Sequence, residues 1–237
     1  MSEGILKAYR EGIVTELSLQ LNSLGTQRAL ELIKQHGIND VGIHLLLYSW
    51  KDTGRILHRE DYIQLFRENS IDDIKRIVQE ELIQFDRLVG MKPTHIIPQF
   101  GIHGNLKVLE SIVQYAKEYN IPMRIPRTVL TGDINDENYA AEIILKRHGV
   151  RTTKHLFGYI TGQHYDEIKA SLLADLGTVE TGEAAEIIFH PGYVDRDLLR
   201  ISSLRYERGR DLALCLDGEF RHAIRTMGFE FIGYKQL

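Results

Sequence analysis

Apolar positions along the chain follow two alternating rhythms. Short runs with apolar residues in sequence or at every second position predict strands, and longer runs with apolar residues three or four apart predict helices. Gly4 to Glu11 predicts the end of a helix, closed by Gly12 as a C′ glycine. Thr15 to Leu21 alternates as a strand does, and Thr26 to His36 is helical, with Leu30 and Ile33 on one face and Gly37 ending it. The nearly unbroken apolar run Val41 to Leu47 predicts a parallel strand covered on both faces. Ile71 to Val89 predicts a long amphipathic helix opened by Ser70, with Asp72 and Asp73 in its first turn.

The alternation continues to the end of the chain. Strands are predicted at Thr94 to Gln99, Pro122 to Ile125, Thr153 to Phe157 and Glu186 to His190. Helices are predicted at Leu106 to Tyr119, Tyr139 to Gly149, Tyr165 to Asp175 and Arg208 to Met227, with Phe229 to Gly233 as a last strand. Repeated strand-then-helix units predict an α/β fold with a parallel sheet, open or closed into a (β/α) barrel. No linker or low-complexity tract interrupts the pattern, so a single domain is expected over residues 1–237.

Composition narrows the function classes. The net charge of −4 is spread along the chain, without the basic stripe of a nucleic-acid binder or the polybasic run of a membrane-surface protein. The longest apolar runs are strand-sized, far below the roughly 20 residues of a spanning helix. The start Met1-Ser2-Glu3-Gly4 has no signal-peptide character, and the lone Cys215 leaves no internal disulfide. A cytoplasmic protein is expected.

In folds of this kind, functional side chains gather at the carboxyl ends of strands and in the following loops. Three candidates lie there: His44, the Gln99–His103 region and His190. A single histidine in an apolar strand is more often a packed residue than a ligand, but three strand ends carrying such groups change that weighting. Residues four apart on a straight strand lie roughly 13 Å apart. His95, Gln99 and His103 therefore cannot share one ion unless the chain bends. Gln99 offers an amide oxygen, a poorer ligand for a zinc-like ion than imidazole. Arg124 and Arg127, after the fourth predicted strand, suit an anion or a sugar carboxylate, and surface ion pairs suit them equally well. Asp133, Asp136 and Glu137 fit a loop entering a helix. Cys215 fits a buried apolar position.

Several of these segments resemble the YdjC-like carbohydrate deacetylases. Gly4 to Thr15 is similar to that family's first helix and the entry to its second strand. Gly42-Ile43-His44-Leu45 is similar to a family motif whose histidine is a metal ligand. Pro93-Thr94-His95-Ile96-Ile97-Pro98-Gln99-Phe100-Gly101-Ile102-His103 resembles its metal-site strand, with Ile97 where the family has an aspartate and Gln99 where it has a metal histidine. Met123-Arg124, His190-Pro191-Gly192-Tyr193-Val194-Asp195 and Arg208-x-x-Asp211-Leu212 complete six matches in order along nearly the whole chain.

The resemblance implies a (β/α)-barrel-like fold and hydrolysis of N-acetyl groups of amino sugars or oligosaccharides with a divalent metal (Zn, Mg or Ni). It puts His44 and Gln99 at metal positions, His190 at the catalytic acid, and His103, Arg124 and Arg127 at the substrate. A homodimer is a further expectation. The family's Asp-Asp-Phe-Gly motif on its first strand has no counterpart here. Either the start is placed late in a longer reading frame, or the barrel lacks a strand. A lost central strand would orphan buried backbone groups at about 1–3 kcal/mol each, which favours the late start. Ile97 and Gln99 lead to a second expectation: a catalytically impaired sugar-binding or regulatory relative that holds no stoichiometric zinc or nickel.

Overall fold

The computed structural model describes residues 1–48, 59–126, 136–158, 164–202 and 204–237. The chain forms two compact units, Met1–Leu17 with Thr153–Gly233, and Ser18–Thr152 with Tyr234–Leu237.

The second unit is built on a sheet of order β1 (Leu17–Gln20), β2 (Val41–Leu45) and β3 (Ile96–Pro98). Strands β2 and β3 pair in parallel, with His44 opposite Ile97. The predicted strand Pro122 to Ile125 contributes a single parallel bridge, Met123 to Ile96. Helices α2 (Thr26–His36), α3 (Arg59–Glu68), α4 (Ile71–Val89), α5 (Leu106–Glu118) and α6 (Asp136–Arg147) accompany the sheet. Helix α4 starts and stops where local chemistry directs. Ser70 and Asp73 form a reciprocal capping box, and Gly90 takes the left-handed conformation at φ 81°. Its buried stripe of Ile74, Val78, Leu82 and Phe85 belongs to a core shared with Ile43, Leu45, Ile96, Leu109 and Ile112.

The first unit holds the parallel pair β4 (His155–Phe157) and β5 (Ala185–Ile187). With it go α1 (Ser2–Glu11), α7 (Tyr165–Leu176), α8 (Arg196–Ile201), α9 (Tyr206–Leu216) and α10 (Gly218–Thr226). Ala8, Ile168, Leu172, Leu212, Cys215 and Phe220 form its core. Burial pushes the Cys215 thiol well above its ordinary pKa, as befits a packing residue. Among the described residues no helix is long and apolar enough to cross a membrane.

Three local expectations change. Gly12 closes α1, yet its backbone is extended (φ −99°, ψ −153°) rather than left-handed. Glycine is required there because a Cβ would sit 2.5 Å from the Cys215 carbonyl oxygen. The single helix expected over Arg208 to Met227 is two helices. Asp217 leaves helical geometry, and its carboxylate accepts the Glu219 and Phe220 N–H groups at 2.8 and 3.1 Å, restarting the helix as α10. Phe229 to Gly233 forms no strand. The chain instead ends in a 3₁₀ turn, Tyr234–Gln236, held in the second unit by Lys235 on Asn39 O (3.1 Å) and Arg151 on Leu237 O (2.6 Å).

Candidate functional site

The second unit brings together His44, Gln99, His95, His103 and Arg124. His44 is the half-buried member of an otherwise buried β2. Strand β3 ends at Pro98, and the chain bends at once into a 3₁₀ turn, Gln99–Gly104, with Phe100 (φ 51°) and Gly101 (φ 68°) in left-handed geometry. This bend removes the straight-strand spacing on which the 13 Å separation depends. The three polar residues nonetheless go to three different partners.

Gln99 Oε1 accepts a short hydrogen bond from His44 Nε2. An amide oxygen opposite Nε2 requires the proton to be on that nitrogen, so its lone pair is not available there. Burial, then the nearby positive Arg124, lowers the His44 pKa to about 4, with the Gln99 bond acting in the opposite direction. The imidazole is neutral at neutral pH.

His95 is fully buried, with Nε2 2.7 Å from Ser18 Oγ and Nδ1 3.0 Å from Thr94 Oγ1. Its ring stacks on Tyr234 with centroids 4.4 Å apart and planes 14° apart. The other face of the ring crosses Gly42, where a Cβ would lie 2.5 Å from both ring nitrogens. His95 is thus a pin of the sheet. His103 is also fully buried and donates from Nε2 to Arg124 O at 2.8 Å. Arg124 N in turn donates to Ile96 O at 3.1 Å, so the bend and the bridge strand together fix the Arg124 backbone. Arg127 and Asp133 lie outside the described residues.

His190 belongs to the first unit, three residues beyond β5 rather than at its last position. Its loop is clamped from α9. Asp211, buried, accepts the His190 N–H at 2.8 Å, and Gly192 N donates to Arg208 O at 3.0 Å. Burial raises the Asp211 pKa, opposed by the His190 N–H and by Arg210, whose guanidinium pairs with it at 3.0 Å. The Arg208-x-x-Asp211 spacing therefore places both loop contacts on adjacent turns of one helix.

Helix α1 closes on the same loop, because Gly4 lets the Gly192–Tyr193 backbone approach. Gly4→Ala would put a Cβ 2.7 Å from Gly192 Cα and Tyr193 N. Helix propensity alone would favour alanine by about 1 kcal/mol. The clash is against backbone and should dominate, for a net loss of about 1–3 kcal/mol in a denaturant melt. An unchanged or raised midpoint would show that the contact is not tight.

Sequence reasoning did not single out Glu81, Gln84, Tyr62 or Ser18, and it placed Gly42 in a motif without showing that it faces His95. Glu81 did leave a signal. Ile74, Val78, Glu81, Leu82 and Phe85 share one helical stripe, and a carboxylate on an apolar stripe needs a partner.

A divalent metal needs several converging His or carboxylate donors with free lone pairs. Among the described residues no group of three or more His, Cys, Asp or Glu side chains could hold an ion. His44 commits Nε2 to Gln99, and both His95 nitrogens face hydroxyls. The residues described here do not fit a metal centre.

Comparison with known proteins gives a consistent picture. The model of a family described as YdjC-like protein matches residues 1–226. Carbohydrate deacetylases of Brevibacillus brevis and Clostridium beijerinckii are each 28% identical to this chain, covering 99% of it and 92% and 93% of their own lengths. That of Geobacillus stearothermophilus is 26% identical over 99% of this chain and 91% of its own. A crystal structure from Enterococcus faecalis V583, of a protein named for cellobiose-phosphate cleavage, superposes with a TM-score of 0.79 at 21% identity, over 99% of this chain and 92% of that one. The last likeness establishes the shared mixed α/β fold.

Proposed function

Because this chain belongs to the YdjC-like family, we propose that it is a carbohydrate deacetylase acting on N-acetyl groups of amino sugars or their oligosaccharides. The observation that carries the reading is the family match through residues 1–226, joined to relatives named carbohydrate deacetylase over almost the full chain. The match runs through both compact units, which supports reading them as one family domain. The single cysteine supports a cytoplasmic setting. A homodimer belongs to the same proposal.

Hydrolysis of an acetamide needs an activated water, a stabilised oxyanion and an acid for the departing amine. His190 is assigned the acid, on a loop whose backbone Asp211 and Arg208 hold in place. Arg124, Arg127 and His103 are assigned to the sugar, with His103 acting through the Arg124 carbonyl. His44 and Gln99 occupy the positions that the resemblance gives to a metal.

A second reading is favoured by the His44–Gln99 hydrogen bond, which takes up one of the two imidazole nitrogens that could bind a metal. On that reading the chain binds amino sugars without hydrolysing them. Acetate release from N,N′-diacetylchitobiose in the presence of Zn²⁺, Mg²⁺ or Ni²⁺ decides between the two, with calorimetric binding of the same sugar alongside. Release by the parent chain supports the deacetylase. Binding without release, gained only in Gln99→His, supports the second reading. Neither binding nor release defeats both. Elemental analysis is expected to find far less than one zinc or nickel per chain, and about one per chain would show that these residues do hold a metal.

A further inference from the structure

Glu81 lies in the core at 5% exposure. A carboxylate there must find donors, and it finds them on the backbone. Oε1 and Oε2 accept the Leu46 N–H at 3.0 and 3.2 Å, and Oε2 accepts the Leu47 N–H at 3.0 Å. Two successive N–H groups turned towards one anion form a nest, and Leu47 completes it in left-handed geometry at φ 59°. A leucine rarely adopts that conformation without external support. Tyr62 of α3 donates its hydroxyl to Leu46 O at 2.7 Å, so both polar backbone groups of Leu46 are held by side chains.

One turn along α4, Gln84 repeats the arrangement on the neighbouring strand. It exchanges two hydrogen bonds with the Asn22 amide, at 3.1 and 3.0 Å, and Asn22 too is left-handed at φ 57°. Residues three apart share a helix face. The same face of α4 therefore grips the carboxyl ends of β1 and β2, and His44 lies two residues before Leu46. Neither side chain is placed as a ligand, since their acceptors are already taken by N–H donors.

We infer that Glu81 and Gln84 are positioning residues, which hold the backbone of Leu46 and Leu47 just past His44 on β2 and the Asn22 side chain past the end of the neighbouring β1. The inference rests on reading that pair as the functional site.

The test uses the full chain and the variants Glu81→Ala, Glu81→Gln and Gln84→Ala. Amide exchange at Leu46 and Leu47 and the ¹H–¹⁵N signals of the His44 ring are recorded at one fixed pH. Glu81→Ala should speed exchange at both amides by about tenfold or more and shift the His44 ring signals. Glu81→Gln keeps an acceptor oxygen and should do both to a smaller extent, while Gln84→Ala should shift the ring signals without opening Leu46. Faster exchange with His44 signals unchanged in every variant would reduce the clamp to a purely structural feature and overturn the inference. If Glu81→Ala does not fold, the other two variants decide by the same criterion. Failure of the deacetylase reading appears separately, as absent acetate release, and leaves the His44 signals to judge the clamp.

Discussion

The difference in unfolding free energy between the parent chain and Glu81→Gln is expected to fall by about 3 kcal/mol as pH rises from 4.5 to 7. Burial, only partly offset by the Leu46 and Leu47 N–H groups, raises the Glu81 pKa from 4.5 to about 7. Over that window the unfolded chain has released the proton and the folded chain still holds it. The contribution of Glu81 to stability is therefore complete below pH 4.5 and lost as pH rises through 7. His44 has the opposite sign. Its pKa is lowered from 6.5 to about 4, so the unfolded chain takes up a proton that the folded chain refuses. Its contribution is present above pH 6.5 and lost on acidification through 4, again by about 3 kcal/mol.

The two slopes overlap between about pH 4.5 and 6.5 and nearly cancel in the parent. Each emerges when the other residue is replaced. Denaturant titrations of the parent, Glu81→Gln and His44→Gln across pH 4 to 7.5 measure this, because all other ionisable groups cancel in the differences. Two variants whose differences from the parent run in the same direction with pH would contradict the burial of one or the other group.

Gly42→Ala is expected to cost about 3 kcal/mol, lowering the melting temperature by roughly 6–12 °C for a chain of this size. The new Cβ would press on both nitrogens of the His95 ring. The ring has nowhere to go, with Tyr234 stacked on it and Ser18 and Thr94 holding its nitrogens. A shift of the ring breaks two hydrogen bonds and a stack together. The decisive measurement is the cycle with His95→Ala, which removes the ring that the methyl strikes. The double variant should be less destabilised than the sum of the single ones by at least about 1 kcal/mol. Additive losses would mean that Gly42 matters for a reason other than His95.

Much of the fold is legible in the sequence, and the legible parts share a cause. Helix α4 runs from Ile71 to Val89 as expected, because Ser70, Asp73 and Gly90 act on backbone groups within a few residues. Helix α2 ends at Gly37 for the same reason. The parallel β2 shows in an apolar run, because a strand covered on both faces admits little else. The break at Asp217 escapes a periodicity argument. The apolar stripe continues through it, and one side-chain cap outweighs the pattern.

The candidate residues are legible in their places along the strands more than in what they contact. The sequence places His44, Gln99, His103, Arg124 and His190 at or just beyond strand ends, and that is where they lie. It also shows the Arg208-x-x-Asp211 spacing without showing that the pair clamps the His190 loop.

By itself, then, the sequence determined the family, the alternation of strands and helices with the bounds of those that carry local caps, and which residue types are available near the strand ends. These depend on short-range hydrogen bonding, on periodic burial and on motifs carried in order along the chain. Only the tertiary structure decided what each polar residue faces. Ser18 meets His95 across 77 positions, Gln99 meets His44 across 55, and Glu81 reaches back 35 and 34 to Leu46 and Leu47. A buried imidazole or carboxylate takes its protonation, and hence its chemistry, from such partners, and no local pattern encodes which partner the folded chain will bring.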